Sequence, residues 1–224
     1  MLTGAGVSTE SGIPDFRSQN GIWARVDPFE VASLQAFRRD PARVWSFYRE
    51  RIHVVREAEP NAAHHALAEL EARGFVAAVV TQNIDTLHSR AGSQDVVEVH
   101  GSIRSARCLV CLWTESADAV LAQLDATDIP ACPNCGEVLK PGVVLFGELL
   151  PVDAMERATQ LARGARLLLV VGSSLEVWPV AGLPLEASRF AVVNRGPTAL
   201  DDRAALKIDA GAGETLSAVL AALR

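Results

Sequence analysis

The chain has 224 residues, of which 49% are hydrophobic, and a formal net charge of −6 at pH 7. Such a chain can bury a substantial core, which excludes an intrinsically disordered protein; its acidic balance disfavours nonspecific nucleic-acid binding, which needs a basic surface. Because we find no signal peptide and no apolar run of about 18 residues, we expect a cytoplasmic protein without nucleic-acid or membrane partners.

A glycine-rich turn near the start, residues 3–17 with the sequence TGAGVSTESGIPDFR, is the most informative segment. Gly4 and Gly6 lack side chains, so the backbone there can turn tightly and bring its N–H groups close to a phosphate. Ser8 and Thr9 add hydroxyl donors beside those amides. Thr9 replaces the third glycine of the dinucleotide-binding motif G-x-G-x-x-G, so this match is weak when taken alone.

The segment after this turn departs from a simple dinucleotide-binding unit. A turn of that kind normally opens into a helix, whereas Gly12 and Pro14 favour a loop. The loop ends in Phe16 and Arg17. We therefore expect it to lie over a bound nucleotide as a lid.

The strand expected before the turn is unusually short. Strands usually have about 5–6 residues, yet only Met1 and Leu2 precede Thr3. We expect either that the first strand begins upstream of the assigned start or that it is truncated, and we favour the upstream start.

Four apolar runs and three amphipathic runs follow, and they alternate along the chain. The apolar runs predict buried parallel strands, because each is nearly continuous in Val, Leu or Ala: Phe75–Val80, Val96–Val99, Leu167–Val171 and Phe190–Val193. Three segments have the helical period, namely Asn61–Arg73, Val152–Arg163 and Glu214–Leu223. Gly74 and Gly164 stand where C-terminal caps belong. The alternation predicts an α/β fold with a Rossmann-type, doubly wound parallel sheet.

Each predicted strand ends in a polar cluster that contains glycine or amide side chains: residues 81–83, 100–101, 172–174 and 194–196. Ligands bind outside the carboxyl ends of the strands in such sheets. We therefore expect these clusters to converge on one cleft.

Two segments interrupt the alternation and predict a smaller domain. The Rossmann-type domain is assigned to residues 1–27, 61–101 and 141–224, and the smaller helical and metal-binding domain to residues 28–60 and 102–140. Each insertion leaves and re-enters the larger domain, so the smaller domain is built from both.

The second insertion contains all four cysteines of the chain, as two C-x-x-C pairs separated by 20 residues: Cys108, Cys111, Cys132 and Cys135. Four thiolates with this spacing are typical of a structural Zn²⁺ site with tetrahedral geometry. The alternatives are two disulfides or four free thiols, which the absence of a secretion signal disfavours. A catalytic zinc would need an open position or a different ligand, and the pattern offers neither.

Taken together, six ordered motifs resemble those of the sirtuins, which are NAD-dependent protein lysine deacylases. The motifs are GAGVSTESGIPDFR, TQNIDTLH, VHG at residues 99–101, the paired C-x-x-C, KPGVVLFGELLP and GSSLEVWP. The resemblance extends from Leu2 to about Leu216. It implies a Rossmann-type NAD domain and a smaller zinc-bearing domain, with acylated lysine of a protein substrate entering between them.

The resemblance also implies a reaction and a base. In sirtuins the acyl-lysine carbonyl oxygen attacks C1′ of the nicotinamide ribose, which expels nicotinamide and forms an alkylimidate. A histidine then helps to deprotonate a ribose hydroxyl that attacks the imidate, and water releases lysine and O-acyl-ADP-ribose. His100 matches that histidine, and its ordinary pKa near 6.5 suits a general base at neutral pH; the alternative is a packed core histidine. We interpret His53, His64 and His65, which lie in predicted helices, as structural.

The family's NAD contacts are carried over residue by residue. Asn83 and Asp85 match the pair that holds nicotinamide and orders a water near the ribose, since an amide and a carboxylate can bond its carboxamide, although a turn motif would look the same. Gln82 matches a ribose contact. We assign catalytic roles to His100 and Asn83. The full set expected to bind NAD is Gly4, Ala5, Gly6, Ser8, Thr9, Asp15, Phe16, Arg17, Trp23, Gln82, Asn83, Ile84, Asp85, Gly172, Ser173, Ser174, Asn194, Arg195, Gly196 and Ala212.

Two segments resemble the edges between which a sirtuin holds its substrate peptide as an added strand: Val143–Glu148 and Glu176–Trp178. Main-chain pairing of this kind gives affinity without strict sequence demands, so we expect broad substrate choice. The substrate-binding residues assigned from the first edge are Val144, Phe146, Gly147 and Glu148.

The acyl group is indicated by Tyr48 and Arg51, which are three residues apart on one face of a predicted helix. A Y-x-x-R pair here resembles the class III sirtuins, which prefer succinyl-, malonyl- and glutaryl-lysine. A guanidinium can bind the terminal carboxylate in two charge-assisted bonds and a phenol can add a third. The alternative is that Tyr48 packs and Arg51 pairs with Glu50 or Glu57.

Two other functions remain open at this point. The same cleft could serve a mono-ADP-ribosyltransferase, which product mass would distinguish, or a catalytically silent NAD-binding sensor or scaffold. Asn83, Asp85 and His100 favour a deacylase, either with the acyl preference above or as a plain deacetylase.

Overall fold

The larger part of the molecule is built on a parallel sheet, seen in a computed structural model that describes residues 1–223. Within those residues the sheet has six strands in the order β3-β2-β1-β7-β8-β9. They are β1 (Leu2–Thr3), β2 (Val79–Thr81), β3 (Val96–Glu98), β7 (Leu168–Val171), β8 (Phe190–Val193) and β9 (Leu206–Ile208). The two-residue β1 pairs with β2 on one side and β7 on the other, so it lies at the centre of the sheet.

Helices cover both faces of this sheet. Within residues 1–223 the helices are α1 (Pro28–Val31), α2 (Leu34–Arg39), α3 (Pro41–Glu57), α4 (Ala62–Ala72), α5 (Leu87–Arg90), α6 (Ala117–Leu124), α7 (Val152–Gly164), α8 (Leu183–Glu186) and α9 (Ala212–Ala222). Successive side chains of β7 point to opposite faces: Val170 joins the cluster that includes α7, and Val171 joins the cluster that includes α4 and α9. Burial on both faces explains why the strands are almost continuously apolar.

The smaller domain contains a three-stranded antiparallel sheet in the order β5-β4-β6, formed by β4 (Gly101–Cys108), β5 (Thr114–Ser116) and β6 (Leu139–Val143). Helices α3 and α6 pack against it. Trp45 of α3 is buried in this core and its indole N–H donates to the Leu139 carbonyl at 2.7 Å. The sheet extends slightly beyond residues 102–140, because β4 begins at Gly101 and β6 ends at Val143.

The sequence-based elements differ from the structure at a few boundaries. The strand predicted from Phe75 begins only at Val79, because Phe75 follows the turn at Gly74 and is 56% exposed. Gly74 has the positive φ expected of a cap, whereas Gly164 is the last residue of α7 and has no such φ. Strand β9, the three strands of the smaller domain, helix α6 and the short helices were not predicted. None of the helices within the described residues is long and apolar enough to cross a membrane.

Candidate active site

A cleft of about 900 Å³ opens at the carboxyl ends of the parallel strands, between the two sheets. Members of all four polar clusters line it. Of the residues expected to bind NAD, the following line the cleft: Gly4, Ala5, Gly6, Thr9, Asp15, Phe16, Arg17, Trp23, Gln82, Asn83, Ile84, Gly172, Ser173, Ser174, Asn194, Arg195 and Ala212. Ser8, Asp85 and Gly196 do not line it.

The glycine-rich turn is held by the neighbouring strand rather than left open. The N–H groups of Gly4 and Gly6 donate to the carbonyls of Val171 and Gly172, at 3.1 and 2.8 Å. The N–H groups of these two glycines therefore already have backbone partners in this conformation, and the assignment of the turn to NAD binding stays a prediction. The glycines are required for packing, because a Cβ on Gly4 would lie 2.8 Å from the Gly172 carbonyl oxygen.

The loop after the turn is ordered by its own residues and crosses to the far side of the cleft. The Asp15 carboxylate accepts the N–H groups of Arg17 and Ser18, at 3.0 and 2.8 Å. The Phe16 ring stacks on Trp23, with ring centroids 5.0 Å apart. Arg17 forms an exposed salt bridge of 3.1 Å with Glu176, so the loop spans the mouth of the cleft.

His100 lies in the cleft at the end of β3, half-buried. Its Nδ1 is 3.0 Å from the Gln82 carbonyl oxygen, which can only accept, so Nδ1 carries the proton and Nε2 keeps its lone pair. Burial lowers the pKa of His100 below its ordinary value of 6.5, and the hydrogen bond to Gln82 opposes this effect. A neutral imidazole with a free Nε2 can accept a proton at neutral pH.

Asn83 is joined to a buried network behind the cleft. Its side-chain N–H donates to the Ser8 hydroxyl at 3.0 Å, and Ser8 donates to the Asp85 carboxylate at 2.6 Å. Asp85 also accepts the Leu87 N–H at 3.0 Å. Burial raises the pKa of Asp85, and the bonds from Ser8 and Leu87 oppose that rise. Ser8 and Asp85 therefore orient Asn83 from behind instead of facing the cleft.

Two buried histidines complete this network, and sequence patterns gave no sign of their proximity. The rings of His64 and His88 are 4.9 Å apart. His64 lies 3.4 Å from the Ser8 hydroxyl, and His88 lies 2.9 Å from the Thr3 hydroxyl. Burial lowers the pKa of His64 to about 4 and that of His88 to about 3, so both rings are neutral at pH 7.

The segment after β6 leaves the backbone groups of Gly147 free. The N–H of Val144 donates to the His100 carbonyl, and the N–H of Phe146 to the Ala32 carbonyl, both at 2.8 Å. Among residues 1–223, the backbone N–H and C=O of Gly147 and Glu176 make no hydrogen bond. These two positions lie on the two edges predicted to receive a peptide strand, and both line the cleft.

A buried ion pair, which sequence reasoning missed, supports this segment. Lys140 Nζ is 3.0 Å from Glu148 Oε2 and also donates to the carbonyls of Pro141 and Val143. The same oxygen of Glu148 also accepts a hydrogen bond from the Leu145 N–H, at 2.8 Å. Burial lowers the pKa of Lys140, while Glu148 opposes that change.

Tyr48 and Arg51 occupy different positions relative to the cleft. Tyr48 lines the cleft although its side chain is largely buried. Its burial raises the pKa of the Tyr48 hydroxyl, and the negative charge of the nearby Glu148 raises it further. Arg51 does not line the cleft; its guanidinium lies 5.2 Å from the centre of the Phe47 ring. Its closest acid, Glu50, is 3.9 Å away, and its Nε is buried with no hydrogen-bond partner among the described residues.

The four cysteines form one cluster in the smaller domain. All four sulfurs lie within 4.8 Å of one another, with Cys108–Cys135 and Cys111–Cys132 distances of 3.5 Å. Tetrahedral zinc with Zn–S bonds of about 2.3 Å places its sulfurs about 3.8 Å apart. The donor set and its spacing therefore fit a closed Zn²⁺ site.

Comparison with known proteins identifies close relatives. The sequence pattern of the Sir2 family matches residues 4–179. The NAD-dependent protein deacetylase of Sulfurisphaera tokodaii is 44% identical over 98% of this chain and 88% of its own length. The NAD-dependent protein deacylase of Pyrococcus furiosus is 43% identical over 100% of this chain and 92% of its own.

Solved structures of Sir2 proteins are also similar to this chain. A Sir2 structure with a p53 peptide and NAD⁺ superposes with a TM-score of 0.91 at 40% identity, covering 99% of this chain and 91% of the other. The structure of Sir2Tm bound to a propionylated peptide superposes with a TM-score of 0.89 at 41% identity, with the same coverage of both chains.

Proposed function

Because the chain belongs to the Sir2 family of NAD-dependent protein deacetylases and deacylases, we propose that it removes succinyl and malonyl groups, in addition to acetyl groups, from protein lysines. When bound, NAD supplies the ADP-ribose that accepts the acyl group and the nicotinamide that leaves. The work left to this chain is to bind the two substrates, orient them, exclude water and move protons.

His100 is the proposed general base. Its Nδ1–H is fixed on the Gln82 carbonyl and the residue lines the cleft, so Nε2 is the atom available to take a proton from a ribose hydroxyl. Asn83, oriented by Ser8, is proposed to hold the nicotinamide end. The loop from Asp15 to Trp23 is proposed to shield the reacting ribose from water, since its bridge from Arg17 to Glu176 crosses the cleft.

The peptide substrate is proposed to add a strand between the two free edges. The unpaired backbone groups of Gly147 and Glu176 can bond to a main chain without reading its side chains. This arrangement supports broad acceptance of protein substrates. The acyl chain would then enter the cleft toward Phe146 and Tyr48.

The observation that carries the acyl preference is the Nε of Arg51, one helical turn from Tyr48, which is buried with no hydrogen-bond partner among the described residues. A buried donor without a partner is unfavourable, and Glu50 is too distant and too exposed to satisfy it. An acyl carboxylate reaching past Tyr48 would supply the missing acceptor once the Arg51 side chain moves off the Phe47 ring. Acetyl-lysine has no such group.

The test compares two peptides that differ only in the acyl group, acetyl or succinyl, with NAD in excess and products identified by mass. Arg51→Met should lower kcat/KM for the succinyl peptide by about 30- to 5,000-fold, because removing one partner of a desolvated charge pair costs about 2–5 kcal/mol. The acetyl peptide should be unaffected or improved. Tyr48→Phe, which deletes one hydroxyl, should cost less, about 0.5–3 kcal/mol.

Arg56→Met is the matched control, because Arg56 lies on the same helix and forms an exposed pair with Asp118. It should leave both activities unchanged. Equal losses on both peptides in Arg51→Met would mean that the arginine is structural and the protein a plain deacetylase. Transfer of ADP-ribose to the peptide would instead indicate the transferase.

The cysteine cluster is proposed to hold one structural Zn²⁺ that stabilises the smaller domain. Four thiolates fill a tetrahedral coordination shell, so no position remains for a substrate. The metal therefore has no proposed part in the acyl transfer itself.

A further inference from the structure

An unexpected contact joins the glycine-rich turn to the last helix. Glu10 belongs to a short turn, Thr9–Ser11, that precedes the loop over the cleft. Its Oε1 accepts the backbone N–H of Gly213 at 3.2 Å, across 203 residues of sequence. No motif in the chain predicts this contact.

The helix it reaches has no cap of its own. Gly211 occupies the N-cap position of α9, and no side chain caps the helix locally. The first N–H groups of a helix lack partners within it and carry partial positive charge. The Glu10 carboxylate supplies both the missing acceptor and the favourable charge from a distant part of the chain.

The local sequence leaves room for this carboxylate. A Cβ on Gly213 would collide with Glu10 Oε2, and a Cβ on Gly211 would lie 3.2 Å from Oε1. Gly211 has a φ of −66°, and Gly213 has no positive φ either. Glycine is a poor helix former, and at position 213 in α9 it leaves the space that the Glu10 carboxylate occupies.

The contact lies at one end of the cleft. Glu10, Gly211 and Ala212 all line it, beside Arg195. We infer that Glu10 is a positioning residue for NAD, whose contact with Gly213 holds the first turn of α9 against the adenosine end of the cofactor. This inference rests on the proposal that NAD occupies the cleft with its adenosine toward Asn194, Arg195 and Ala212.

The experiment measures NAD affinity by calorimetry and thermal unfolding without NAD, for Glu10→Ala, Gly213→Ala and the double variant. Glu10→Ala should raise the Kd for NAD by about 3- to 10-fold and lower the apo Tm by about 2–4 °C, as expected from loss of a helix cap. Gly213→Ala should raise the Kd for NAD in the same way by displacing the carboxylate, whereas its loss in apo Tm should be smaller because alanine is the better helix former. In the Glu10→Ala background, Gly213→Ala should cause no further loss, since nothing remains to displace.

The control and the opposing outcomes are specific. Glu156→Ala removes an exposed glutamate from α7 and should change neither quantity. At saturating NAD and peptide, kcat should remain at the wild-type value in every variant. Three results would overturn the inference while NAD binding by the wild type stands. They are equal NAD affinity in all variants, tighter NAD binding by Glu10→Ala, and additive losses in the double variant. Failure of the wild type to bind NAD would instead overturn the proposed function together with it.

Discussion

Replacing Lys140 by methionine tests how the substrate edge is supported. The Lys140 side chain is 7% exposed, and Glu148, its partner at 3.0 Å, is 17% exposed. Methionine keeps the length of the side chain but removes the charge. Glu148 would then be a half-buried carboxylate with no cation beside it.

The magnitude follows from this burial. Removing one partner of a buried ion pair costs about 3–5 kcal/mol, because the remaining charge is uncompensated. The free energy of unfolding of a typical domain is about 5–15 kcal/mol, so Lys140→Met should remove a large part of it. Glu148→Gln should cost less, about 1–3 kcal/mol, since Lys140 keeps two carbonyl acceptors and a glutamine oxygen can still accept the Leu145 N–H.

The assay is urea unfolding followed by tryptophan fluorescence, which reports on Trp45 beside β6. The double variant Lys140→Met/Glu148→Gln removes both charges of this pair and should be more stable than Lys140→Met alone. Arg163→Met, which breaks an exposed pair with Glu186, is the control and should cost about 0–1 kcal/mol. Losses that add within about 0.5 kcal/mol in the double variant would refute a coupled pair.

Two further predictions concern the base and the metal. His100→Ala should lower turnover by about 10²–10⁴-fold while NAD binding persists. Because burial lowers the pKa of His100, the base stays unprotonated below its ordinary 6.5, so activity measured against pH should decline only on the acidic side of that value; a decline centred above 6.5 would contradict this. Chelation or Cys132→Ser should unfold the smaller domain, and less than one zinc per chain in folded, active protein would refute a structural site.

Much of the fold was predictable because it depends on local patterns. Parallel strands that are buried on both faces have short apolar sequences, and the predicted helical segment Asn61–Arg73 corresponds to α4 with its cap at Asn61. The cysteine spacing likewise predicted a single cluster. The boundaries were less certain: Phe75 is apolar like a strand residue but belongs to a turn, and β9 was missed because Leu206–Ile208 is half exposed and only three residues long.

The missed parts of the site are contacts between distant residues. Ser8 meets Asp85 across 77 residues, and Glu10 meets Gly213 across 203. No periodic pattern or characteristic spacing in the sequence indicates either contact. In the glycine-rich turn, the motif is visible in the sequence but its hydrogen bonds are not. The motif indicates a phosphate site, whereas the N–H groups of Gly4 and Gly6 already donate to the carbonyls of Val171 and Gly172.

The length of strand β4 sets the separation between His100 in the cleft and the cysteine cluster of the smaller domain. It begins directly after His100 and ends at Cys108, and its pairing with β6 is irregular only between Gly101 and Ala106. Because side chains alternate between faces, deleting one residue from this strand would turn Cys108 away from the other cysteines while His100 stayed in place. The seven residues between His100 and Cys108 are therefore constrained in number as well as in identity, and length variation among inserted modules should be confined to the loops beyond Cys108.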